Sequence, residues 1–406
     1  MATLIDINKL KVVPDNQKKN DGLELCVYGP LPEDIQEWLN FHALPNYIVG
    51  NYTNIVIPND VRVENLFVKK PPYQYMDGFS PNLNKYLHIG HFSNLVIAKA
   101  IKSLGMCKST VSIYGDTLQG EVKKEDALKK LTFYFDHFNY FPDAEFLASQ
   151  MELKSNLLVD GEGEFEGCKV FMAGDQPIVG IKSDGSTSYF YQDVCLAEQL
   201  NDSTLYLTGS EQENHFAQLK KIIPHIDHLP LGLVKVNGKK MSSREGNVIF
   251  LDDMLKIIAD KLSDETKSNV QLIYNIFAGL ILRTSPESDK NVDLNLLDNV
   301  KASPGLYVSY TMARLASAGV LEFINGERFP NRYFSQELEL LNAKACNLLR
   351  PSILFEGLVE HCNKINSLYT TNTIKGNVEN LKMFRRMLMD LMKASQRLGL
   401  FFIEKV

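Results

Sequence analysis

Ser80-Pro81-Asn82-Leu83-Asn84-Lys85-Tyr86-Leu87-His88-Ile89-Gly90-His91 is the stretch from which the fold is read. It follows an extended-looking segment, residues 72–79, and opens an amphipathic run over residues 92–104. In that run Leu95, Val96, Ala100, Ile101 and Leu104 fall on one side of a helix, and Gly105 supplies the stop. Strand, loop and helix in this order make a phosphate-binding unit, because the first amides of a helix and its dipole favour anionic oxygens. Two imidazoles three residues apart, His88 and His91, can donate hydrogen bonds to a triphosphate. Lys85 adds a charge, and Gly90, with no Cβ, lets an adenine ring approach the backbone. A lone His-x-x-His would also suit a helix cap or a metal. Its company, Ser80-Pro81-Asn82 and Lys85, favours the phosphate reading.

Two further stretches lie downstream. Lys239-Lys240-Met241-Ser242-Ser243-Arg244-Glu245-Gly246-Asn247 is a basic Ser/Gly loop. Lys240 offers a compact charge for a departing pyrophosphate, and the amides around Met241, Ser242 and Ser243 can cradle phosphate. By composition alone such a loop is also an ordinary surface turn. Between the two sites, residues 182–193 read KSDGSTSYFYQD. Tyr189 and Asp193 are four residues apart, so on a helix they share a face. A phenol beside a carboxylate suits a cationic ligand head; a helix cap with a packed tyrosine is the alternative.

Outward from these sites the chain divides by pattern. Residues 1–70 mix strand-like runs (Leu23–Tyr28 and 54–57) with a helical stretch around 35–39. Residues 71–292 alternate short apolar runs, such as 111–114 and 205–208, with helices, the pattern of an α/β protein with a parallel sheet. Residues 293–406 read as helical. Pro351 opens a helix with the stripe Leu354, Leu358, Val359, Cys362 and Ile365. A last helix sets Leu381, Phe384, Leu388, Leu391 and Leu398 against Lys382, Arg385, Arg386, Lys393 and Arg397.

The 406 residues are 45% hydrophobic and 23% charged, an ordinary globular balance. A net charge of −6 argues against a protein that coats nucleic acid throughout. Residues 297–406, however, carry 14 Lys and Arg against 10 Asp and Glu, so this part can face a polyanion. No apolar run approaches the roughly 18 residues of a membrane helix. The start, MATLIDINKLKVV, lacks the features of a signal peptide. A cytoplasmic protein without membrane contact is expected. The six cysteines form no CxxC pair and read as reduced thiols, with no metal site among them.

At these motifs the sequence resembles the class I arginyl-tRNA synthetases, in register over about residues 71–405. The family's SPNxxKxLHxGH signature is complete at 80–91. Its SDGxxxYxxxD segment matches 183–193. A strand followed by Gln and His matches 206–215, with Gln212 and His215 in register. A KMS loop followed by Gly-Asn-Val matches 240–248, and Tyr-x-x-Ala-Arg matches 310–314. The resemblance implies a Rossmann-like catalytic domain followed by a helical domain of the anticodon-binding type. It implies ATP and L-arginine as substrates, with Mg²⁺. His88, His91 and Lys85 would hold ATP phosphates, and Lys240 the leaving pyrophosphate. Asn82 and Gln212 would meet the α-amino end, Tyr189 and Asp193 the guanidinium. Asp77 stands where the family often has a substrate-contacting glutamate. The acceptor would be tRNA(Arg), held through the helical domain, and the enzyme a monomer.

The sequence departs from the family in three places. The region before residue 71 is short, the stretch 115–182 is short, and Gly-Asp-Trp-Gly-x-Gln is reduced to Gly115-Asp116-Thr117-Leu118-Gln119-Gly120. These departures spare arginine activation and fall on tRNA-facing parts. A relative that passes arginyl-adenylate to a small amine or peptide is therefore the alternative, and a catalytically dead tRNA-binding module is a third reading.

Overall fold

The computed structural model describes residues 6–13, 23–67, 69–83, 85–114, 123–147, 155–240, 248–321 and 335–406. Strands β1 (Lys11–Val12), β2 (Leu23–Tyr28), β3 (Asn46–Val49) and β4 (Tyr52–Ile57) form an antiparallel sheet in the order β1-β2-β4-β3. Helix α1 (Glu33–His42) buries Ile35, Trp38 and Leu39, and Trp38 Nε1 donates to Leu66 O at 2.8 Å. The described part of the region before residue 71 has its own core, which includes Trp38, Phe67 and, from far along the chain, Leu340. Its added strands are two and four residues long, and β3 is mostly exposed, so neither carries a legible period.

The central layer begins with β5 (Tyr73–Asp77), α2 (Ile89–Ser103), β6 (Cys107–Tyr114), α3 (Lys124–Phe138) and β7 (Ala144–Leu147). A small antiparallel meander follows: β8 (Val159–Asp160), β9 (Lys169–Ala173) and β10 (Gln176–Ile181). Then come α4 (Tyr189–Leu200), β11 (Thr204–Gly209), α5 (Glu213–Ile222) and β12 (Ile226–Leu231). The five-stranded sheet β12-β11-β5-β6-β7 is parallel throughout. From β5 the chain winds one way through β6 and β7, then adds β11 and β12 on the other side. The direction reverses between β5 and β11, and the crevice beyond the carboxyl ends of these strands is where doubly wound sheets bind ligands. The expected apolar side of α2 is buried, but so are Phe92, Ile97, Ala98 and Lys99. This helix is enclosed because it packs on β6 and β11 and also on a later helix, α7.

After β13 (Val234–Val236) and β14 (Lys239–Lys240) come α6 (Leu251–Ala259), α7 (Val270–Leu282) and β15 (Lys290–Val292). The helical layer is α8 (Pro304–Ser317), α9 (Gln336–Leu348), α10 (Pro351–Thr371) and α11 (Val378–Arg397). On α10, Leu354, Leu358, Cys362 and Ile365 are buried and Val359 is half-buried. On α11, Phe384, Leu388 and Leu391 are buried, as is Leu398 just beyond it, while Lys382, Arg386 and Arg397 are exposed. Among the described residues no helix is long and apolar enough to cross a membrane, and the six cysteines are free thiols.

Candidate active site

A cavity of about 440 Å³ lies at the switch point, within the usual size of a small-molecule site. Its walls come from the loop after β5 (Asp77, Ser80, Asn82), the start of α2 (His88, Gly90, His91, Asn94), the end of β11 (Thr208, Glu211, Gln212) and the segment after β12.

His88 is the N-cap of α2. Its Nδ1 accepts from the Gly90 amide at 3.1 Å, and His91 Nδ1 accepts from the His88 amide at 3.2 Å. The rings stack with centroids 3.8 Å apart. A neutral imidazole that accepts at Nδ1 carries its proton on Nε2. Burial keeps both neutral: it pulls His91 down to about 3, with help from His88 and Lys85, and lowers His88 in the same way. The pair is therefore two oriented Nε2–H donors at a helix N-terminus rather than two charges. Lys85, exposed beside them, is the cation of this segment.

Asp77 ends β5 and is only 6% exposed. Ser80 Oγ donates to its Oδ1 at 2.5 Å, and that hydroxyl also accepts from the Ile113 amide at 3.0 Å. Burial pushes the carboxyl up to about 7 against the Ser80 bond, and the charge of Asp193 adds to the rise. Among the described residues no cation pairs with this acid, which lines the cavity. Asn82 and Gln212 line the same space.

Tyr189 and Asp193 both lie on α4, as the spacing requires, with Ser188 capping the helix through the Tyr191 amide. Neither lines the main cavity. Tyr189 is 64% exposed, and Asp193 Oδ2 lies 2.6 Å from His215 Nε2. Asp193 is nonetheless near enough to add to the rise that burial imposes on Asp77 and on Tyr206. A ligand whose cationic tail met α4 would have to reach beyond the described cavity.

Lys240 pairs in β14 with Lys235 of β13. Met241, Ser242 and Ser243, like residues 115–120, lie outside the described residues. Beyond the loop the chain returns to α2: the Ile89 amide donates to Ile249 O at 3.2 Å, and the Leu251 amide to Leu87 O at 2.9 Å. Val248 lines the cavity. The described residues on either side of 241–247 are thus held by β13 and beside His88. Sequence reading missed Ser80 as the partner of Asp77, His215 as the partner of Asp193, and Asn94, Thr208 and Glu211 as lining residues. Asn94 was legible in principle, since it follows His91 by three residues on the same helix face.

The family described as tRNA synthetases class I (R), catalytic domain, matches residues 151–273. The arginine–tRNA ligase of Oenococcus oeni is 28% identical over 296 residues, 63% of this chain and 51% of that protein. The arginine–tRNA ligase of Lactobacillus johnsonii is 29% identical over 282 residues, 59% of this chain and 50% of that protein. Among solved structures, Thermus thermophilus arginyl-tRNA synthetase matches with a TM-score of 0.66 at 14% identity, covering 98% of this chain and 96% of that chain. The Plasmodium falciparum arginyl-tRNA synthetase matches with a TM-score of 0.59 at 15% identity, covering 92% and 89%. At that identity the structural likeness speaks for the fold. The parallel sheet with its switch point is the class I tRNA synthetase catalytic fold. Over residues 151–273 the chain matches the arginyl type of that class, and over a longer stretch it is similar to arginine–tRNA ligases. It spans about half the length of the curated relatives it matches.

Proposed function

We propose that this chain activates L-arginine with ATP and transfers the arginyl group to tRNA(Arg). The observation that carries the reading is the pair of neutral Nε2–H donors at the N-terminus of α2, opening into the same cavity as the buried Asp77 carboxyl. One end suits phosphate oxygens; the other suits a substrate ammonium. In this reading an arginine carboxylate oxygen attacks the α-phosphorus, a P–O bond forms, and the bond to pyrophosphate breaks. The nucleophile is already anionic, so no protein base is required. His88 and His91 orient the phosphates, Lys85 and Lys240 offset the charge of the leaving pyrophosphate, and Gly90 with Met241, Ser242 and Ser243 bounds the nucleotide. Asp77, Asn82 and Gln212 receive the α-amino end. Tyr189 and Asp193 on α4 receive the guanidinium, which rewards charge-assisted pairing. A terminal ribose hydroxyl of the tRNA then attacks the carbonyl carbon and AMP leaves; the helical layer and its positive balance would hold the RNA.

Mg²⁺ belongs to this reading as the companion of ATP. Among the described residues no group of three or more His, Cys, Asp or Glu side chains is placed to hold a metal. The chain would act as a monomer in the cytoplasm.

A second reading, transfer to a small amine or peptide, rests on the shortened stretch 115–182 and the altered segment at 115–120. ATP–pyrophosphate exchange measured across the amino acids, with and without tRNA, separates the two. Exchange with arginine alone among the amino acids, together with charging of tRNA(Arg), is expected. Exchange without RNA and no charging would favour the second reading, and no exchange with arginine under either condition would overturn both.

A further inference from the structure

Lys99 lies eight residues after His91 on α2, about 12 Å along the axis, between the buried Ala98 and Ala100. It is 6% exposed. Burying an ammonium is costly, and burial alone pulls this one down to about 7. What it receives in exchange comes from three other elements. Its Nζ donates to Phe138 O, at the carboxyl end of α3, at 2.6 Å. It lies 4.2 Å from the ring centre of Tyr274 on α7 and 3.9 Å from that of Phe401. Phe401 belongs to the segment that leaves α11. That segment is fixed at the backbone: the Phe401 amide donates to Asn275 Oδ1 at 2.9 Å, and Asn275 Nδ2 donates to Phe401 O at 2.8 Å. Asn275 Nδ2 also reaches Ser309 Oγ on α8 at 3.1 Å. The segment arrives through Gly399, at φ +70°, where a Cβ would meet Lys99 Cγ at 2.8 Å. A second cavity of about 450 Å³ opens beside this contact, bordered by Lys99, Lys102, Asn139, Asp143, Gln396 and Phe401. Phe401 is half-buried, and besides Lys99 and Asn275 it meets the Tyr274 ring edge-on, with centroids 5.3 Å apart.

We infer that Lys99 and the segment 398–403 form a positioning clasp, through which the docking of the helical layer sets the seating of α2 and hence of the His88–His91 pair. An apolar residue would fill the place of Lys99 at lower desolvation cost. An ammonium suits it because one charge fastens a helix end and two aromatic faces at once, and each contact strengthens as water is excluded. When the segment leaves, the lysine loses a face and gains water, so the engaged and released states differ in interaction free energy. Lys99 is a positioning residue in this scheme; it touches no reacting atom. The inference rests on the proposed adenylate chemistry for its consequence, but not for its geometry.

The test uses the full chain with Phe401→Leu, which keeps apolar volume and removes the π face, Lys99→Met, and Phe401→Tyr as the conservative control. Four quantities are read: thermal midpoint, kcat and KM for ATP–pyrophosphate exchange, affinity for β,γ-methylene-ATP, and the ¹⁵N ring resonances of His88 and His91. F401L and K99M are expected to fold with a midpoint lowered by a few degrees. Their exchange kcat should fall at least tenfold with a smaller change in KM, and both histidine rings should show altered Nδ1 signals. F401Y should stay within twofold of the parent. A folded F401L with parental kcat and unchanged ring resonances overturns the clasp. If K99M does not fold, F401L, which retains the lysine, decides alone. If the parent shows no exchange with arginine, the functional reading fails, while analogue affinity and ring resonances still decide the clasp.

Discussion

Asp77 and the histidine pair sit in one cavity and respond to burial with opposite signs. Asp77 is pushed from 3.8 up to about 7, so between those values the folded state holds a proton that the unfolded state has released. Its contribution to stability is therefore lost as pH rises from about 4 through 7, and is of the order of a few kcal/mol. His91 is pulled from 6.5 to about 3, so its contribution is present above about 6.5 and is lost as pH falls toward 3. Near neutrality the imidazoles do not titrate and the carboxyl does. A substrate ammonium beside Asp77 would favour its anionic form. Arginine binding at pH 6 should then release close to one proton, read by calorimetry in two buffers of different ionisation enthalpy. Asp77→Asn should abolish that release and unfold at higher temperature than the parent at pH 8, with the gap closing at pH 4. Equal heats in both buffers would remove Asp77 from the substrate's cationic end.

Among the elements, α2 shows best what periodicity can and cannot disclose. Its apolar side was legible, as were β5, β6, β11 and the stripes on α10 and α11, because each repeats apolar residues at the spacing of its structure. Lys99 was not legible: a lysine inside an amphipathic helix reads as solvated, and its burial follows from α7 and the segment 398–403, distant in sequence. The same limit applied to Asp193, whose helix position was readable but whose partner His215 lies on α5. The crossing of α7 and α8 was hidden as well, since it depends on two glycines. Gly279 faces Gly305, and a Cβ on Gly305 would collide with the carbonyl of Asn275 and approach Ile276 Cα to 2.9 Å. These are backbone atoms within helices and cannot swing aside. Gly305→Ala should separate the helices and lower the unfolding free energy by about 1–3 kcal/mol, measured by denaturant titration. Because Asn275 bonds both Ser309 and Phe401, the exchange rate should fall with it. A variant as stable as the parent would show that the crossing has slack.

At the scale of the whole molecule, the N-terminal sheet is fastened to the helical layer by α9. Gln336 Nε2 donates to Pro58 O at 2.7 Å and Val61 O at 2.9 Å, and Glu339 Oε2 accepts from the Val63 amide at 3.3 Å. Lys344 Nζ reaches Leu10 O at 3.0 Å, and Leu340 is fully buried within the N-terminal core. Sequence reading divided the chain at residue 70 but gave no sign that residues 6–67 pack on a helix some 270 positions onward, because no local period encodes such a contact. The arrangement separates two tasks. The switch-point cavity is built from β5, α2, β11 and the segment after β12, none of which touches Leu340 in the contacts described above. Leu340→Ala should leave a void in the N-terminal core and cost about 2–5 kcal/mol there. The N-terminal sheet should then loosen from α9, and limited proteolysis should cut faster between residues 67 and 72. Adenylate formation should stay within twofold of the parent, because the histidine pair and Asp77 keep their supports. On the proposed reading, transfer to tRNA should fall further, because the sheet and the helical layer would no longer present one fixed surface to an RNA. Equal losses in both steps would mean that the two halves act as a single body.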